Sequence, residues 1–153
     1  MLFLVRHYLF LPQIVAAVFG YMVWVALDRT PPLVLFDGKI TPGIVNPGEH
    51  DVKVLWRARY SGRDCPGLTQ RELIDSGRHL WPELKRVRGG IFEPDADNPL
   101  LGTVSTPPLY IPNMLPGKAE YRVTQFYYCN WLQRLLNWPI VEVSPFITFE
   151  VSK

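Results

Sequence analysis

The chain has 153 residues, 48% of them hydrophobic, with 15 prolines, 11 glycines and a net charge of +2. That length has room for about one domain, and the proline and glycine content favours many turns over long helices. So small a positive charge, without any Lys/Arg run, excludes nucleic acid as an expected partner.

The first element is apolar. From Tyr8 to Leu27 about 20 residues pass without a charged side chain, "YLFLPQIVAAVFGYMVWVAL". A helix of that length crosses a hydrocarbon core of roughly 30 Å. Pro12 falls in its first turns, where proline does least harm, and Tyr8, Tyr21 and Trp24 lie toward its ends. A secretory h-region is usually about 7 to 15 residues and ends in a small-x-small site, which Trp24-Val25-Ala26 is not. The pattern therefore predicts an N-terminal transmembrane anchor over 1–27, in preference to a signal peptide or a buried helix. Arg6 before the span and Arg29 and Lys39 after it leave the positive-inside rule almost balanced. "DRTPP", 28–32, follows as a short stiff linker.

From Leu33 onward the pattern is strands and turns. "LVLFDGKITPGIV" is a strand region broken at Asp37-Gly38 and Pro42-Gly43, and "NPGEH" is a turn. Val52, Val54, Trp56, Ala58 and Tyr60 then alternate with Lys53, Arg57 and Arg59, with Leu55 breaking the polar side; this is a half-buried strand. A short strand near Arg71 to Asp75 follows the loop "SGRDCPGLTQ". Between Ser76 and Pro112 the sequence is turn-rich and marks no clear strand boundary. After Pro116-Gly117, Tyr121, Val123, Tyr127 and Cys129 share one face. The last strand is interrupted at Pro145, which suggests an edge or a bulge, and resumes with Ile147, Phe149 and Val151. About seven short strands over 33–153 predict an all-β fold, an immunoglobulin-like β-sandwich preceded by one transmembrane helix, with a small barrel as the alternative.

Cys65 and Cys129 are the two cysteines. In an immunoglobulin-like arrangement they fall in the B–C and F–G loops, at the same end of the sandwich. A bond between them closes about 65 residues and contributes about 4 kcal/mol on the chain-entropy account. The other reading is two unrelated buried thiols. Disulfides persist in oxidising compartments, so the bonded reading predicts a single-pass membrane protein with an extracytoplasmic, periplasmic C-terminal domain.

"YYCNWLQRLLNWP", Tyr127 to Pro139, concentrates apolar side chains where the chain turns. As the F–G connection it lies beside the emerging tether. Trp131, Leu132, Leu135, Leu136 and Trp138, with Arg134 near lipid phosphates, are candidates to meet a membrane or a partner protein. The competing reading makes Leu132, Leu135 and Leu136 a helical turn that plugs the open end of the core.

No catalytic or cofactor-binding motif emerges. His7, His50 and His79 are dispersed, with no metal-ligand spacing. "EPDADN" gathers Glu93, Asp95, Asp97 and Asn98 but lacks the spacing and distal Glu of a calcium loop, and reads as a solvated acidic turn. No nucleophile elbow, zinc-protease helix, phosphate loop or dinucleotide fingerprint is present. Neither a catalytic role, a metal nor a cofactor is expected.

The stretches "VNPGEHDVKVLW", "RDCPG", "PGKAEYRV", "YYCN" and "SPFITFEV" resemble small, uncharacterised, membrane-anchored immunoglobulin-like proteins encoded in bacteriophage genomes. The resemblance covers most of the chain after residue 40. It implies a phage or host-envelope context and transfers no catalytic residue. The expected function is a non-enzymatic, membrane-anchored interaction protein in a bacterial envelope or phage-related assembly. Its partners would be the membrane and another envelope or phage protein, or a second copy of the chain. A virion or ejection component and a lysis accessory protein are the alternatives.

Overall fold

The computed structural model describes residues 2–85 and 91–153, with side chains described for 12–82 and 92–153. Helix α1 (Leu2–Leu27) precedes a β-sandwich. One sheet contains β1 (Leu33–Thr41), β3 (Lys53–Tyr60), β7 (Asn98–Ser105) and β6 (Ile91–Asp95), in the order β1-β3-β7-β6. The other runs β2 (Ile44–Val45), β10 (Ile147–Val151), β8 (Gly117–Tyr127), β4 (Gly67–Ile74), β5 (Leu80–Lys85), and β9 (Ile140–Val143) also pairs with β8. A single turn of helix, α2 (Trp131–Leu135), sits between β8 and β9.

The core is built by alternation. Val54, Trp56 and Ala58 on β3 point inward against Ala119, Tyr121 and Val123 on β8, and all are buried. Their neighbours Lys53, Leu55 and Arg57 face water, as a half-buried strand of period two requires. β9 and β10 are two pieces of one returning strand. Both pair with β8, and the break falls at Ser144-Pro145, where proline cannot donate to the ladder. Ser144 compensates there by accepting from the Val123 N–H through its hydroxyl.

Three expectations are corrected. Among the described residues no helix is long and apolar enough to cross a membrane. The domain end of α1 is also seated on protein: Val25 is buried, and its carbonyl accepts from Asn130 Nδ2. The N-terminal transmembrane anchor is therefore not supported. The single-pass membrane protein with a periplasmic C-terminal domain falls with it.

The second correction concerns β4, which starts at Gly67 rather than near Arg71. Its first residues are half-buried on both faces and show no alternation. Third, the segment that marks no strand boundary contains β5, β6 and β7, so the sandwich has more strands than the seven expected.

Candidate functional site

The loop end of the sandwich is where α1, the 28–32 linker, the β3–β4 loop and the β8–β9 segment meet. The disulfide is formed: Cys65 in the β3–β4 loop bonds Cys129, just beyond β8, with S–S 2.08 Å and Cα–Cα 4.6 Å. Both cysteines lie at the same end of the sandwich, as the bonded reading expects.

Asn130 caps α2. The Asn130 side chain accepts from the Gln133 N–H at 2.8 Å, the N-cap contact that satisfies one of a helix's orphan donors. Its amide nitrogen donates to the Val25 carbonyl at 3.1 Å, satisfying one of the free carbonyls at the end of α1. Gln133 is almost wholly buried and braces two ways. Its Oε1 accepts from Cys129 N at 2.8 Å, and its Nε2 donates to Asp28 O at 3.0 Å. After Leu136, Asn137 adopts a left-handed φ of 48°, a conformation Asn tolerates at a helix end, and Tyr128 holds it by a hydroxyl hydrogen bond.

The linker is fixed from both sides. Arg63 of the β3–β4 loop donates to both oxygens of Asp28, at 2.9 and 2.6 Å. Arg29 donates to the Pro139 carbonyl at 2.8 Å, and its guanidinium lies 3.7 Å from the centre of the Trp138 ring, a cation–π geometry. The Arg63 hydrogen bond holds the Asp28 carboxyl below its ordinary value, against a smaller opposing effect of burial. A depressed carboxylate stabilises the fold above its ordinary pKa and loses that contribution as pH falls through the folded value. Followed by NMR, the Asp28 carboxyl is expected to titrate below 3.8 and to return toward 3.8 in Arg63→Met. An unchanged titration in the variant would show that Arg63 does not set it.

The sequence-predicted residues divide. Leu132 is buried, though it is not part of the core cluster between the sheets. Trp131, Leu135, Leu136 and Trp138 are exposed, the two leucines at 71% and 58%, and Arg134 is exposed beside them. Neither the plug nor the surface reading covers the whole segment. Asn130, Gln133, Asp28, Arg29 and Arg63 escaped the sequence reading. Of these only Asn130 carried a local signal, an Asn immediately before an apolar helical turn.

The remaining polar residues are dispersed. His50 stacks on Tyr110, with ring centroids 4.5 Å apart. His79 lies 3.0 Å from Asp75 in the β4–β5 hairpin. His7 lies outside the residues whose side chains are described. Asp95 of the acidic turn is paired with Arg57 at 2.8 Å, and no group of three metal-ligating side chains is gathered among the described residues.

No family model matches the chain, and no curated protein matches it. Among solved structures it is similar to the Pseudomonas fluorescens alkylpurine DNA glycosylase AlkC bound to DNA containing an abasic site analog, at a TM-score of 0.46 and 11% identity. The likeness covers 80% of this chain and 31% of the glycosylase, so the chain spans about a third of that protein. A likeness this distant carries no argument about activity or ligand.

Proposed function

We propose that this chain is a non-enzymatic interaction protein, an immunoglobulin-like module that engages a partner protein through its loop end in a bacterial-envelope or phage-related assembly. The carrying observation is α2. Its inner face is anchored by Leu132 and Gln133, while Trp131, Leu135 and Leu136 stay in water, as do Trp24 and Leu27 of α1. Apolar side chains grouped on a braced element mark an interaction surface more often than scattered ones do. The immunoglobulin-like reading is supported by strand order. Lettered in that convention, with β2 as A′, the two sheets run A-B-E-D and A′-G-F-C-C′, close to the variable-type layout without C″. The phage or envelope setting rests on the sequence resemblance.

The non-enzymatic reading is supported by where the perturbed groups lie. Asp28 is at the linker, Asp75 is in a hairpin, and Tyr127 and Glu142, both raised by burial, are on the paired strands β8 and β9. Among the described residues, no acid, base and nucleophile converge on one atom position.

Site-specific photocrosslinking in the native host tests the surface. A photoreactive residue at 135 is expected to give one discrete protein adduct, and the same residue at Leu55, exposed on the opposite sheet, none. Leu135→Asp/Leu136→Asp, probed from position 131, should reduce the adduct about tenfold, roughly 1.4 kcal/mol. Its melting temperature should stay unchanged, because exposed positions are usually neutral. Equal adducts from 55 and 135 would sink the reading.

A further inference from the structure

The loop end of the sandwich is not fully closed. Between the two sheets, beside Cys65, a cavity of about 200 Å³ opens to solvent. Tyr60 and Phe92 wall it from one sheet, their rings 5.5 Å apart. Tyr127 walls it from the other, and Thr69 and Gln125, opposite each other across β4 and β8, supply its polar groups. Arg63 and Asp64 form the rim.

Two features show that this space is shaped. Gln125 is 6% exposed, and its Oε1 is buried with no hydrogen-bond partner. A buried amide oxygen left unpaired is costly, whereas an apolar residue of the same shape there would cost nothing of the kind. Gly67 brings the backbone close to the Tyr127 side: a Cβ there would lie 2.8 Å from the Phe126 carbonyl oxygen and 3.1 Å from the Tyr127 ring. Any side chain at 67 would have to displace the strand or the ring that forms the wall.

We propose that this cavity binds a single neutral sugar ring, the terminal pyranose of a glycan. The inner polar groups are an amide and a hydroxyl, and the Tyr127 phenol stays protonated because burial raises it. The charged lining residues, Arg63 and Asp64, are of opposite sign and Arg63 is tied to Asp28, so a charged ligand gains little there to offset its desolvation. A purely apolar one would leave the Gln125 amide unpaired. Sugar hydroxyls both donate and accept, so they suit the amide in either orientation. The C–H faces of the ring suit the aromatic walls. Size points the same way, since pockets for drug-sized ligands run about 300–1,000 Å³ and this one holds little more than one ring.

The test uses the whole chain, isotope-labelled for NMR. Methyl glycosides of glucose, galactose, mannose and N-acetylglucosamine are titrated separately, with N-acetyl-lysine amide and methyl phosphate as charged probes. One glycoside is expected to shift the resonances of Thr69, Phe92 and Gln125, with roughly millimolar affinity. Gln125→Leu should weaken that binding roughly tenfold while leaving the melting temperature equal or higher, as removal of an unpaired buried polar group allows. Phe92→Ala gives an independent loss from the opposite wall. The proposal is overturned if no glycoside moves these resonances, if a charged probe moves them instead, or if Gln125→Leu binds as well as the parent.

Discussion

Replacing both cysteines by alanine is expected to lower the unfolding free energy by about 4 kcal/mol, read from urea unfolding of the two proteins side by side. The bond joins residues 64 apart in sequence, and the entropy withheld from the unfolded chain grows with the logarithm of that separation. Other contacts at the loop end cannot replace it. The Arg63–Asp28 pair is about a third exposed, and ion pairs of that kind contribute roughly 0–1 kcal/mol. The loss should also be local. Cys129 donates its N–H to Gln133 Oε1, so freeing Cys129 loosens the residue that ties α2 to the linker. Amide exchange is expected to accelerate in 129–136 more than in β3. A loss below about 1 kcal/mol would mean that structure in the unfolded chain already offsets the cross-link.

The consequence for function runs through the same bond. The exposed leucines of α2 can present a defined surface only while their helical turn is held. One turn of helix does not hold itself in water. Asn130, Gln133 and the disulfide supply that rigidity by tying the turn to α1, to the linker and to the β3–β4 loop. Reduction is therefore expected to abolish the proposed partner capture through residue 135 even if the sandwich remains folded.

Much of the fold was legible because one physical asymmetry repeats. β3 has its core on one side and water on the other, so its side chains alternate. Leu55, the one break in the pattern, does lie on the outer face. β8 reads the same way. The middle strands were not legible because their turn-like residues do other work. Gly102, inside β7, admits the neighbouring strand: a Cβ there would fall 2.2 Å from the Glu93 carbonyl oxygen. Pro94 lies on β6, an edge strand where its missing N–H is tolerated. Hydropathy misled at α1, since a count of apolar residues says nothing of what the helix end rests on.

At the site, the apolar run was visible and its braces were not. Gln133 bonds to Asp28 across 105 positions. A long-range polar contact leaves no period in the sequence. The unpaired Gln125 was equally hidden, because it occupies an inward position on β8 that alternation assigns to an apolar residue.

Trp56 tests the core that carries all of this. Trp56→Ala is expected to cost about 3–5 kcal/mol, as deletion of a fully buried indole does, and Trp56→Phe within about 1 kcal/mol of the parent. The difference has a reason beyond size. Trp56 Nε1 is buried without a hydrogen-bond partner, so phenylalanine removes an unpaired donor along with part of the ring, and the two effects oppose each other. Gly38 sharpens the test because it stands opposite Trp56 in register. A Cβ at 38 would lie 2.7 Å from the indole and 2.4 Å from Ile147 Cδ1. Gly38→Ala alone should therefore cost roughly 1–3 kcal/mol through overpacking. Combined with Trp56→Phe it should cost less than the sum, since the smaller ring gives the new methyl room. Strict additivity in thermal and urea unfolding would show that the strain at 38 is set by Ile147 on the opposite sheet, and that the indole plays no part in it.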